Sequence, residues 1–115
     1  MENWLFLYEK HNYKDAENFW FSLQEASKGY GIFINEPEWV EMNNKSNDYK
    51  DWTETVNYYM ENQKKNKNIN YQFVLFFLDR KDFLYKNLKK HSLSEKGYIS
   101  KVVKFFNQKK YYECL

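Results

Sequence analysis

Six apolar residues stand in a row at Phe73-Val74-Leu75-Phe76-Phe77-Leu78, and the chain then turns at once to Asp79-Arg80-Lys81. An unbroken apolar run of this length, without the alternation of a half-exposed strand, predicts a strand covered on both faces. Such a strand needs a layer of other elements above it and another below. Asn3-Trp4-Leu5-Phe6-Leu7-Tyr8 repeats the pattern near the start of the chain.

Between these two runs the periodicity changes. Ala16, Phe19, Trp20, Leu23 and Ala26 recur at helical spacing until Gly29 and Gly31 stop them. Ile32, Phe33 and Ile34 predict a second strand region, broken by Pro37 and resumed at Trp39-Val40, as suits an irregular or edge strand. Trp52, Val56, Tyr59 and Met60 share one face of a second helix, which gives way to a Lys- and Asn-rich connector from Asn62 to Asn70. Leu84 and Leu88 then mark the inward face of a third helix, and Ile99 to Phe106 a fourth strand; Lys109 to Leu115 reads as the start of a further helix. Strands are thus expected near residues 3–8, 32–41, 72–78 and 99–106, with helices near 14–28, 49–63 and 81–91. Alternation of this kind predicts one α/β domain, Rossmann-like, with a mainly parallel four-stranded sheet and helices on both faces.

With 115 residues the chain has room for one core. Aromatic side chains are 22% of it, so that core should be rich in rings although the mean hydropathy is -0.96. No apolar run approaches the roughly 20 residues of a membrane-spanning helix, and Met1-Glu2-Asn3-Trp4 lacks the basic start of a secretory signal. A single cysteine, Cys114, rules out an internal disulfide and fits a reducing compartment, cytoplasmic or nuclear.

The net charge of +2 hides an uneven distribution. Residues 1–79 carry 8 lysines against 13 acidic residues, whereas residues 80–110 carry 10 Lys or Arg against only Asp82 and Glu95. The C-terminal third is therefore a footprint for an anion, of which nucleic acid is the commonest, or else a solvated basic face. Lys81, Tyr85 and Lys89 follow one another at i, i+4 and i+8, so on a helix they share a face beside the one that holds Leu84 and Leu88. Following Arg80 at the end of the third strand, that face offers a ring to a base and ammonium groups to a phosphate.

At these residues the chain resembles the MID domain of Piwi-clade Argonautes. Asn3-Trp4-Leu5-Phe6-Leu7-Tyr8 with Asn12-Tyr13 and Ala16 is similar to the opening of that domain. Arg80-Lys81-Asp82, Tyr85 with Lys89-Lys90, and Ile99-Ser100-Lys101-Val102-Val103 are similar to its nucleotide-binding half. The resemblance implies a Rossmann-like module that anchors the 5′ end of a small guide RNA, joined in a larger protein to PAZ and PIWI domains. Tyr85 would stack on the first base, Lys89 would bind the 5′ phosphate, and the loop from Asp79 to Leu84 would touch the base edge. No catalysis is expected of this module, since the family's nuclease carboxylates lie in a separate domain.

Two departures qualify the match. Lys101 stands where the family has a glutamine, and a second phosphate-binding lysine on a following helix has no counterpart before Leu115, as for a piece excised ahead of its C-terminal helix. Many family members hold a divalent cation beside the phosphate. Here the expectation is that Lys101 shares the pocket with Lys89 and replaces the cation, so that no cofactor is needed; a lysine extended to solvent is the alternative.

Other chemistry has less support. His11 and His91 have no partners at metal or triad spacing. Asp79 and Lys101 suggest a phosphoacceptor pair, but the paired acidic residues expected after the first strand are replaced by Tyr8-Glu9-Lys10. Gly29, Gly31 and Gly97 form no phosphate loop, and Glu36, Glu38 and Glu41 around Pro37 read as a solvated loop. The rival to guide binding is a Rossmann-like protein-interaction module, a MID domain without its nucleotide.

Overall fold

A computed structural model describes residues 3–42, 49–67, 71, 73–79, 88, 99–106 and 111–114. In chain order the elements are β1 (Trp4–Glu9), a 3-10 turn (Lys10–Asn12), α1 (Tyr13–Gly29), β2 (Glu38–Met42), α2 (Tyr49–Lys67), β3 (Phe73–Asp79), β4 (Ile99–Phe106) and β5 (Tyr111–Cys114). They form a five-stranded sheet in the order β2-β1-β3-β4-β5. The first three pairings are parallel and the last is antiparallel. This is the expected α/β class, with β1 and β3 at the centre where their unbroken apolar runs are covered twice.

The two faces are chemically distinct because strand side chains alternate. Trp4, Phe6 and Tyr8 of β1 join Leu75 and Phe77 of β3, Val103 of β4, and Ala16 and Trp20 of α1. Leu5 and Leu7 point the other way, to Val40, Met42, Val74, Phe76, Leu78 and Leu88, under Trp52 and Val56 of α2. One face is thus mostly aromatic and the other mostly aliphatic. The helices take opposite faces for a topological reason: β1 to β2 crosses the sheet one way, while β2 to β3 and β3 to β4 cross it the other. Right-handed connections then put α1 on one side and α2 on the reverse.

Local signals explain the boundaries. Gly31 takes a φ of 70°. There the Ile32 amide donates to the Ser27 carbonyl at 2.9 Å and the Gly31 amide to the Lys28 carbonyl at 3.0 Å, the paired bonds of a Schellman stop. Trp52 and Val56, one turn apart and fully buried, seat α2.

Three expectations are corrected. The second strand begins at Glu38 rather than near residue 32, because residues 32–36 run as a connection whose Asn35 carbonyl accepts the Trp4 indole N–H at 2.8 Å. The second helix continues through the Lys- and Asn-rich stretch to Lys67. Most consequential, Tyr111–Cys114 is a strand and not the start of a helix. It pairs antiparallel along β4 with Tyr111 opposite Phe106 and Cys114 opposite Val103. Two tyrosines favour a strand, and the open edge of β4 offers unpaired backbone groups to it. The sheet therefore has five strands where four were expected.

Candidate functional site

In an open parallel sheet, the ligand crevice lies beyond the carboxyl ends of two strands whose connections leave in opposite directions. Here those strands are β1 and β3, which end at Glu9 and Asp79. Glu9 is fully buried and Asn12, in the turn that follows, is 3% exposed. Asn12 precedes α1 without capping it, and its Nδ2 has no hydrogen-bond partner among the described residues.

Arg80, Lys81, Tyr85 and Lys89 lie outside the described residues, as do the loop from Asp79 to Leu84 after its first residue and the helix expected over 81–91 apart from Leu88. Leu88, which belongs to the same segment, is described: it is helical, fully buried, and packed in the aliphatic cluster on the α2 face. Lys101 is exposed on β4, opposite Leu75 of β3. Its stem lines an apolar groove of about 220 Å³ formed with Trp4, Phe19, Leu23, Phe73 and Val103, on the α1 face. Lys101 and Leu88 thus belong to opposite faces of the sheet. β5 pairs with β4 only from Val103 onward, so Lys101 stands on a stretch of β4 that β5 does not flank.

The described residues offer no donor set for a divalent cation. No group of three or more His, Cys, Asp or Glu could hold one among them, and the Lys101 ammonium is a local repulsion. His11 is exposed in the 3-10 turn. Glu36, Glu38 and Glu41 are exposed around and along the edge strand β2.

A second concavity was not foreseen. Tyr8, Tyr13, Glu17, Trp20, Glu36 and Trp39 line a cleft of about 390 Å³ on the aromatic face. Tyr8 lies 5.9 Å from Trp39, nearly perpendicular at 79°, and 6.0 Å from Tyr13. Trp20 meets Trp39 at 6.4 Å and 85°. The Tyr13 hydroxyl donates to Glu17 Oε2 at 2.8 Å, and Trp39 Nε1 donates to Glu36 Oε1 at 3.3 Å. Burial, with the nearby Glu41 carboxylate and Tyr13, raises the Tyr8 phenol above its ordinary pKa of 10.0; the bond to Glu17 raises that of Tyr13. The sequence signal was the Tyr13–Glu17 spacing of one helical turn. Trp39 joins it only through parallel pairing, which sets Phe6 beside Trp39 and Tyr8 beside Glu41.

No known protein-family model matches the chain, and no curated protein matches it significantly. Among the described residues no helix is long and apolar enough to cross a membrane.

Proposed function

We propose that this domain binds the 5′-phosphorylated terminal nucleotide of a small guide RNA, as the MID module of a Piwi-type Argonaute. The observation that carries the reading is Leu88, helical and buried on the α2 face in the connection between β3 and β4. On a helix through Leu88, Leu84 would fall on the same inward side, with Tyr85 and Lys89 on the flank beside it, where a partner could meet them. In this reading Tyr85 stacks on the first base, Lys89 meets the phosphate, and Arg80 and Lys81 add positive charge. Lys101 is exposed in the amino half of β4 on the α1 face, across the sheet from Leu88, so the reading rests on Tyr85 and Lys89, and chelation tests whether Lys101 joins them. The acidic cleft between Tyr13 and Trp39 suits no phosphate, so the two concavities do not compete for it.

The test is a titration of the protein with matched nucleotides carrying a 5′ phosphate or a 5′ hydroxyl. Guide binding requires a clear preference for the phosphate, reduced by salt because the contact releases counterions. Equal or absent binding favours the interaction-module reading. A specific observation supports that second reading: Tyr30, Ile32 and Phe33 follow α1 at 84%, 56% and 91% exposure, an apolar strip of the kind that partners cover.

A further inference from the structure

We propose that the cleft between Tyr8, Tyr13, Trp20 and Trp39 is a binding site for a methylated ammonium group. The proposal stands apart from guide binding, since it uses the opposite charge and none of the residues assigned to the nucleotide.

Four rings line one cavity, and those in contact are inclined to one another: 79° between Tyr8 and Trp39, 85° between Trp20 and Trp39, and 50° between Tyr8 and Tyr13. Rings turned this way present π faces in several directions around a single volume, which a roughly spherical cation can satisfy and a flat one cannot. The face of each ring carries negative quadrupole density, so a cation within about 6 Å of the centroids is attracted, most strongly where water is excluded. Tyr8 and Trp20 supply the dry floor at 6% and 7% exposure, and Tyr13, at 48%, forms the accessible wall.

The carboxylates select the sign of the ligand. Glu17 and Glu36 stand at the lining of the cleft, and neither has an ion-pair partner among the described residues. Each already accepts a hydrogen bond from a cleft ring, Glu17 from the Tyr13 hydroxyl and Glu36 from the Trp39 indole. These bonds fix the carboxylates against the rings and hold the Tyr13 and Trp39 donors away from the ligand. Both carboxylates are exposed, so their remaining oxygens face water at the rim, and the dry part of the site offers negative potential and apolar surface more than directed acceptors. A quaternary ammonium has no N–H to satisfy and sheds its weak hydration readily, whereas a primary ammonium would lose strong hydration for few directed bonds. That chemistry occurs in a trimethyllysine side chain and in small quaternary amines.

The test follows the four indole N–H resonances of the ¹⁵N-labelled protein during titration with tetramethylammonium, with N-acetyl-trimethyllysine amide, with its uncharged tert-butyl isostere, and with N-acetyl-lysine amide. Saturable shifts are expected at Trp20 and Trp39 with the methylated cations, and none at Trp52, which lies across the sheet. Saturation by both methylated probes identifies the head group as sufficient; saturation by the trimethyllysine amide alone identifies a peptide side chain as the source. Tyr13→Leu and Glu36→Gln alter exposed residues, and each should weaken binding about 3- to 30-fold with the remaining spectrum preserved. The proposal is overturned if no probe shifts these indoles, if the isostere or the unmethylated lysine binds as tightly, or if both variants bind like the parent.

Discussion

Phe6 and Trp39 are register partners on the parallel strands β1 and β2, and their ring centroids are 4.7 Å apart with planes inclined at 36°. The contact fastens the edge strand to the centre of the sheet. It also joins the buried aromatic layer to the cleft, because Trp39 touches Phe6, Tyr8 and Trp20 at once.

Phe6 is fully buried, so Phe6→Ala should lower unfolding free energy by about 3–5 kcal/mol. A double-mutant cycle with Trp39→Ala should return a coupling of about 0.5–1.5 kcal/mol, the usual worth of an aromatic pair beyond its buried area. Urea unfolding measures both. A coupling near zero would mean that Trp39 only covers the edge without fastening it.

Gly29 and Gly31 should respond to alanine with opposite signs. A Cβ at either position meets no atom within 4 Å, so backbone conformation alone decides. Gly31, at φ 70°, should lose about 1–2 kcal/mol as alanine. Gly29 ends α1 without a positive φ, and its alanine variant should gain up to about 1 kcal/mol. Thermal denaturation of the two variants reads the contrast directly.

Stability should fall at alkaline pH. Burial first, then Glu41 and Tyr13, raise the Tyr8 pKa above 10.0, and burial first also raises those of Tyr59 and Tyr71, each with a further push from Glu38. Because the folded state holds these protons more tightly than the unfolded chain, their contribution is complete below pH 10 and is lost as pH climbs through the folded values. Urea midpoints measured from pH 8 upward should therefore be flat at first and decline beyond pH 10. Tyr8→Phe should make that decline shallower; an unchanged slope would exclude Tyr8 from it.

The proposed guide binding would separate two roles. Tyr85→Ala should weaken any 5′ nucleotide by about 1–3 kcal/mol and leave the phosphate preference in place. Lys89→Ala should remove most of that preference and flatten the salt dependence. Calorimetric titrations at two salt concentrations distinguish the effects, and two variants that bind like the parent would refute the assignment.

The expectation that Lys101 replaces a cation beside the phosphate is tested by chelation. The lysine's own charge should make nucleotide affinity indifferent to a chelator, whereas Lys101→Gln should bind more weakly and respond to Mg²⁺. A parent protein that loses binding on chelation contradicts this role for the lysine.

The four parallel strands were legible because β1 and β3 are unbroken apolar runs, and because Ala16, Trp20, Trp52 and Val56 recur at helical spacing. β5 was misread since four residues are too few for periodicity to separate strand from helix; the free edge of β4 decided it. The proposed nucleotide site was read from the spacing of Tyr85 and Lys89 along one segment, and both residues lie outside the described ones. The aromatic cleft escaped because its walls come from β1, α1 and β2, and nothing local in Trp39 announces Tyr8 as its neighbour.

The sequence by itself determined which elements form from β1 to β4, because helix and strand periods, the Gly31 stop and the double-sided apolar runs act within a few residues of one another. It also carried an alternation of aromatic and aliphatic residues in Trp4-Leu5-Phe6-Leu7-Tyr8, whose meaning depends on what covers each face. Only the tertiary structure decided that α1 covers the aromatic side and α2 the aliphatic one, that β5 closes the edge beyond β4, and that Trp39 stands beside Tyr8. Those outcomes depend on crossover direction and strand register, which join residues distant in the chain and leave no signature within any one segment.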